Sequence, residues 1–175
     1  MTQVAIGLGS NIDAQTNMKA AADVLRKQWP QIRFSHVYQS APVERTDQAA
    51  FLNAVAMIQT EEPVDAIIQS LQSIEQQFHK SPPHRFGPRT IDLDLVLYGD
   101  LILPDRASWQ AAKSKNDPMD QTVYVPHLRM DERRFVLEPL TELDSTVMHP
   151  ALEQSIRSLG EKSANQTCTV TDMRL

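Results

Sequence analysis

From Gln3 to Gly9 the chain alternates, with Val4, Ile6 and Leu8 on one side and small residues on the other, the period of two that predicts a half-buried strand. Between Asn17 and Trp29 the period lengthens. Met18, Ala21, Ala22, Leu25 and Trp29 recur at three- and four-residue steps, which predicts a helix with one apolar face, ended by Pro30. Ile32, Phe34 and Tyr38 alternate with polar residues, and Phe51 to Ile58 is a second β-prone run beyond a polar turn at Glu44 to Gln48, so two adjacent strands are predicted. Pro63 suits the first turn of a second helix, whose stripe is Val64, Ile67, Ile68, Leu71, Ile74 and Phe78. Pro82-Pro83 and Gly87-Pro88 interrupt the chain before a strand from Thr90 to Tyr98, which Gly99-Asp100 closes. The order βαββαβ fits an α+β, ferredoxin-like sandwich, an antiparallel sheet with two helices on one face. Past Tyr98 the pattern weakens. Pro104 to Thr122 is polar and without a period and reads as a loop or insertion, set at 105–122. Phe135 to Leu140 and Ala151 to Leu159 predict short helices and Thr167 to Thr171 a last strand, as C-terminal additions.

A length of 175 residues, 41% apolar and 22% charged, predicts one globular domain over 1–175. With 17 Lys+Arg against 22 Asp+Glu the net charge is −5, the wrong sign for a nucleic-acid or anionic-membrane binder. No apolar run approaches the ~20 residues of a membrane span and no secretory signal pattern opens the chain, so the cytoplasm is the expected compartment. Cys168 is the one cysteine, which excludes an internal disulfide or thiolate cluster and reads as a packing residue. Gly7-Leu8-Gly9 has Ile12 where a dinucleotide fingerprint needs its third glycine, and no G-K-[ST] occurs. Nucleotide phosphates would have to be held by side chains and metal.

The segment TIDLDLVLY places Ile91, Leu93, Leu95 and Leu97 on one strand face and Asp92, Asp94, Val96 and Tyr98 on the other. Two carboxylates two strand rises apart, about 7 Å, repel by about 2–2.5 kcal/mol at an effective dielectric of about 20 unless a cation lies between them. Oxygen donors without adjacent Cys or His suit a hard ion such as Mg2+, which completes its shell with water and phosphate oxygens. A strand with two solvated aspartates, or a pair held by arginines, carries the same pattern, so the spacing alone leaves the choice open. Its context narrows it. No acidic residue falls between Glu75 and Asp92, whereas His79, Lys80, His84, Arg85 and Arg89 do. Arginine offers a planar fork for phosphate oxygens, and Gly87-Pro88 is a turn suited to aim Arg85 and Arg89. A second basic group, His127, Arg129, Arg133 and Arg134, fits either an anion site or a helix start with surface ion pairs. Glu75 lies near a helix C-terminus, where the dipole disfavours an anion, a placement that fits either a partner for the carboxylate or an exposed side chain at small cost. Asn53 interrupts the apolar run FLNAVAMI and shares a face with Phe51, an amide beside an aromatic ring that suits a flat heterocycle or a hydrogen-bonded core position.

With GSN at Gly9 to Asn11, FLN at Phe51 to Asn53, RFGPRTIDLDLVLYGD at Arg85 to Asp100 and VPHLRMDERRFVLEPL at Val125 to Leu140, the chain resembles the 6-hydroxymethyl-7,8-dihydropterin pyrophosphokinases of folate biosynthesis from about Val4 to Leu143. The resemblance implies a ferredoxin-like fold and transfer of the β,γ-diphosphate of ATP to the hydroxymethyl group of the pterin, releasing AMP. It implies that Asp92 and Asp94 bind two Mg2+ ions and, with Arg85 and Arg89, carry catalysis. Ser40, Val43, Phe51 and Asn53 are similar to pterin-pocket positions, and Phe86 and Phe135 to the aromatic residues that sandwich the ring. Glu75, Arg89, His127 and Arg133 match nucleotide-contacting positions, Arg85 stands where a nucleotide-site arginine is found, and Lys80 is a further expected ATP contact. Around Lys80 the chain departs from its relatives, which often carry a glycine and two arginines there; Ala41 replaces a frequent proline and Phe86 a frequent tryptophan. The partners implied are the two small-molecule substrates, with no nucleic acid or membrane, acting on a monomer.

Overall fold

The alternating N-terminal segment forms β1 (Thr2–Ser10), which lies inside an antiparallel sheet because both of its edges find a long partner. The sheet order is β5 (Asp92–Tyr98), β1, β4 (Phe51–Thr60), β3 (Tyr38–Ser40) and β8 (Cys168–Val170), with β2 (Arg33–Phe34) also on β4. The computed structural model describes residues 1–41, 49–78, 90–115 and 122–175. Helices α1 (Ala14–Gln28) and α2 (Val64–Phe78) cover one face: Met18, Ala21 and Leu25 of α1 and Ile67, Leu71 and Ile74 of α2 meet Val4, Ile6, Leu8, Ala54, Ala56, Ile58, Leu93 and Leu95. These are the side chains that the two periods select.

Helices α4 (Arg134–Leu143) and α5 (Ile156–Lys162) pack on the opposite face, where Val136, Leu137, Leu140, Ile156 and Leu159 meet Ala5, Val55, Met57, Val96 and Leu97. The predicted short helix at Ala151 to Leu159 is thereby shifted. Residues 148–155 form instead a small ladder of β6 (Met148–His149) and β7 (Gln154–Ser155), and Ser155 caps α5 by accepting from the Ser158 N–H at 3.1 Å.

Two expectations are corrected. Leu97 and Tyr98 lie on the faces opposite to those that strict alternation predicts. The β1–β5 register slips between Ala5 and Ile6, which pair with Leu97 and Leu95, so Val96 is the extra residue of a β-bulge and the alternation changes phase there. Leu97 joins the α4 side and Tyr98 the α1/α2 side, where its hydroxyl donates to Glu62 O at 2.7 Å. The segment read as a loop or insertion contains a helix, α3 (Arg106–Lys115), started by Asp105, which accepts from the Ser108 N–H at 2.9 Å. Only Trp109 and Ala112 of α3 are buried, too short a stripe to register as a period.

Trp109 packs edge-on against His149, ring centroids 5.4 Å apart. The His149 ring is fully buried, accepts at Nδ1 from the Leu152 N–H at 3.2 Å, and has no hydrogen-bond partner for Nε2 among the described residues. Burial lowers its pKa to about 4. An unfolded imidazole titrates near 6.5, so between those values the unfolded chain takes up the proton first, and stability falls as pH drops from about 6.5 toward 4. Urea unfolding across this window is expected to show that contribution, and His149→Phe to remove it from the pH dependence. An unchanged slope in the variant would assign the pH dependence to other groups.

Candidate active site

Strand register brings the predicted residues into rows on the sheet face that α4 and α5 share. Asp92 of β5 lies opposite Gly9 of β1, Gly9 opposite Asn53 of β4, and Asn53 opposite Tyr38 of β3; Asp94, Gly7 and Val55 make the next row. Ser40 pairs with Phe51 on one side and Cys168 on the other. Directly paired residues project to the same face, so Asp92, Asp94, Asn53, Phe51 and Ser40 share one surface. The two glycines leave a strip of bare backbone between the carboxylates and the amide. A Cβ at Gly9 would stand 3.5 Å from Asn53 Oδ1, and one at Gly7 would stand 3.2 Å from Val96 Cγ2. The apolar packing of α4 and α5 ends at Ala5, Val55 and Val96, short of the Asp92–Gly9–Asn53 row.

Asn53 is buried and oriented. Its Nδ2 donates to Ser40 Oγ at 2.9 Å. The Tyr38 hydroxyl next to it donates to Glu142 Oε2 of α4 at 2.8 Å, and burial together with Glu142 pushes the phenol well above its ordinary range. Glu142 also accepts from the His36 N–H at 3.1 Å, so one carboxylate ties β3, which carries Ser40, to α4.

Glu75 has a partner, and it is backbone. Its Oε1 accepts from the Leu93 N–H at 2.7 Å, between the two aspartates of β5. Burial pushes the Glu75 carboxyl up to about 7, opposed by that N–H and reinforced by the charges of Asp92 and Asp94 and by a hydrogen bond with Asp92. Asp92 and Asp94 are themselves half-buried. Among the described residues no three His, Cys, Asp or Glu side chains gather to enclose a cation. The pair therefore fits a hard divalent ion that takes its remaining oxygens from water and phosphate, and does not fit a closed all-protein cage.

His127 and Arg133 lie within electrostatic reach of these carboxylates. Burial lowers the His127 pKa to about 4, with Arg133 lowering it further and Asp92 opposing. Its Nδ1 accepts from the Arg129 N–H at 3.2 Å, so the neutral ring carries its proton on Nε2 as a donor. Arg133, at the N-terminus of α4, is held below its ordinary value by burial, while Asp94 supports its charge. Its guanidinium lies 5.7 Å from the centroid of the Phe135 ring, joining a cation and an aromatic face. Arg134 turns away, pairing with Glu138 at 3.3 Å and donating to Ala164 O at 2.9 Å. Of the second basic group, then, part lies within reach of the aspartates and part makes surface contacts.

Ser40, Phe51, Asn53, Glu75, Asp92, Asp94, His127, Arg133 and Phe135 thus converge around one end of the sheet. Val43, Lys80, Arg85, Phe86 and Arg89 lie outside the described residues. Cys168 is half-buried at the sheet edge, with its thiol pushed up to about 11 by burial, and stays protonated as a packing residue does. Sequence reading missed Gly7 and Gly9 as a floor and Tyr38 and Glu142 as supports. The period of two in β1 carried the glycine signal; the contact of Tyr38 with Glu142 joins residues 104 apart in the chain and had none.

Residues 5–145 match the family model described as 7,8-dihydro-6-hydroxymethylpterin-pyrophosphokinase. A Haemophilus influenzae protein named 2-amino-4-hydroxy-6-hydroxymethyldihydropteridine pyrophosphokinase is 32% identical over 151 residues, 83% of this chain and 83% of its own. A Bacillus subtilis protein of the same name is 35% identical over 141 residues, 79% of this chain and 75% of its own. The folic acid synthesis protein fol1 of Pneumocystis carinii is 33% identical over 163 residues, 91% of this chain, which spans only 20% of that protein's length. Among solved structures, an HPPK-DHPS in complex with substrates superposes with a TM-score of 0.65 at 15% identity, covering 92% of this chain and 43% of its own, a likeness of fold.

Proposed function

The chain belongs to the 7,8-dihydro-6-hydroxymethylpterin-pyrophosphokinase family, and on that premise we propose that it transfers the β,γ-diphosphate of ATP to the hydroxymethyl group of 6-hydroxymethyl-7,8-dihydropterin, releasing AMP, in folate biosynthesis. The observation that carries the reading is the Asp92–Gly9–Asn53 row, which sets a pair of carboxylates and an oriented amide on one face across a strip without side chains. An amide held by Ser40 suits the hydrogen-bonding edge of a flat heterocycle; Phe51 supplies an aromatic face on the same strand face, and Phe135, beside Arg133, is proposed as a second. Val43 and Phe86 complete the proposed pterin pocket. Asp92 and Asp94 would hold Mg2+, two ions in this reading, which when bound neutralises phosphate charge and makes the hydroxyl easier to ionise. Arg133 and the Nε2–H of His127 are donors for phosphate or ribose oxygens, joined by Lys80, Arg85 and Arg89, with Glu75 as a further residue of the ATP site. No protein general base is assigned, because the carboxylates on this face serve the cation and Glu75 is bound to the Leu93 N–H.

The strand order β5-β1-β4-β3, reached through α1 and α2, supports the ferredoxin-like form of the fold. A single domain over 1–175 with an insertion at 105–122, acting as a cytoplasmic monomer, completes the reading. Among the described residues no helix is long and apolar enough to cross a membrane. Incubation with Mg2+, ATP and the reduced pterin is expected to form AMP and diphosphorylated pterin in equal amounts. ADP as the nucleotide product, or no product, would overturn the proposal.

A further inference from the structure

Trp109 and Lys113 stand one turn apart on α3, and both reach the segment that carries His127. Trp109 is fully buried, and its Nε1 donates to Pro126 O at 2.7 Å. The Lys113 ammonium donates to Leu128 O at 2.9 Å. The carbonyls immediately before and after His127 are thus both gripped from α3, while the His127 N–H itself is held by Val96 O of β5 at 3.0 Å. Lys113 also donates to Asp131 Oδ1 at 2.8 Å and to Glu132 Oε1, so all three of its protons are used. Those two carboxylates precede Arg133 directly in the chain, and Glu132 already supports the Arg133 charge, so without the ammonium it would compete more strongly for that guanidinium.

The geometry points to α3 as a clamp on the nucleotide side of the site, with Lys113 and Trp109 as positioning residues that fix His127 and keep Asp131 and Glu132 off Arg133. This rests on the reading that His127 and Arg133 contact ATP. A surface ion pair is worth little by itself, but Lys113 is only 21% exposed and Asp131 12%, and the carbonyl contact adds a geometric constraint that an ion pair lacks.

The test is titration calorimetry of the full chain with Mg2+ and α,β-methylene-ATP, and separately with the pterin, alongside the AMP assay. Lys113→Met is expected to weaken the ATP analogue about tenfold and leave pterin affinity nearly unchanged, with a lower melting temperature because Asp131 loses its ammonium partner. Lys113→Arg, which keeps the charge on Asp131 and Glu132, is expected to recover most of that loss. Trp109→Phe keeps the ring packing but deletes the donor to Pro126, and is expected to weaken the analogue in the same selective way. Wild-type affinity for the analogue in Lys113→Met and Trp109→Phe would overturn the clamp, as would equal losses for both ligands. Wild-type protein that binds the analogue but forms no AMP would sink the proposed reaction and leave the clamp to be judged by the calorimetry. Wild-type protein that does not bind the analogue would overturn both.

Discussion

Asp92→Asn and Asp94→Asn are each expected to lower the rate of AMP formation by about 1000-fold or more, with the fold retained. The two carboxylates share one face of β5, and Glu75 brings a third carboxyl against them. Each substitution removes one negative charge from the position where a divalent ion and the ATP phosphates would meet, so metal affinity falls along with turnover. Stability in the absence of metal should hold or rise slightly, because the field that pushes Glu75 upward is reduced. Arg133 loses part of its counter-charge in the same variants, which keeps the gain small. The check is melting temperature with and without Mg2+ beside the AMP assay. Lower metal-free stability with activity retained would mark the aspartates as a structural pair with Arg133 instead.

Asn53→Ala is expected to weaken pterin binding by about 1–3 kcal/mol and to change ATP affinity little, because it leaves the polar edge of the heterocycle without its partner in a desolvated pocket. Ser40→Ala should give a smaller loss of the same kind, since the Ser40 hydroxyl orients Asn53 at the edge of the proposed pocket. Titration calorimetry with each ligand separates the cases. If both ligands weakened equally in Asn53→Ala, the amide would belong to the support of β3 on β4.

The sheet and its two flanking helices were legible because each element repeats one period long enough to be read, as in Val4, Ile6 and Leu8 or Ile67, Leu71 and Ile74. The same rule failed at Leu97 and Tyr98, where one extra residue in the β1–β5 ladder inverts the alternation and nothing in DLDLVLY announces it. Helix α3 was hidden because it buries two residues and is otherwise anchored by polar groups, Asp105 at its start and Lys113 at its end. Glu75 was suspected for its place against the helix dipole, and its partner turned out to be a strand N–H, a group that every residue but proline offers and no motif can flag. That Asp92 shares a face with Asp94, and Asn53 with Phe51, was legible from alternation; that Gly9 lies between the two pairs follows only from register, which couples three strands distant in the chain.

That bare strip also bears on inhibition and escape from it. A compound lying flat over Gly9 and Gly7 would rest on main-chain atoms, whose chemistry no codon change can alter. Resistance there would have to come from adding bulk, and the first atom added at Gly9 would stand in ordinary contact with Asn53 Oδ1, at 3.5 Å. A side chain at Gly9 large enough to exclude such a compound would also cover the amide proposed to bind the substrate. The strip is accordingly the part of this surface where a competitor's contacts would be hardest to evade without loss of function.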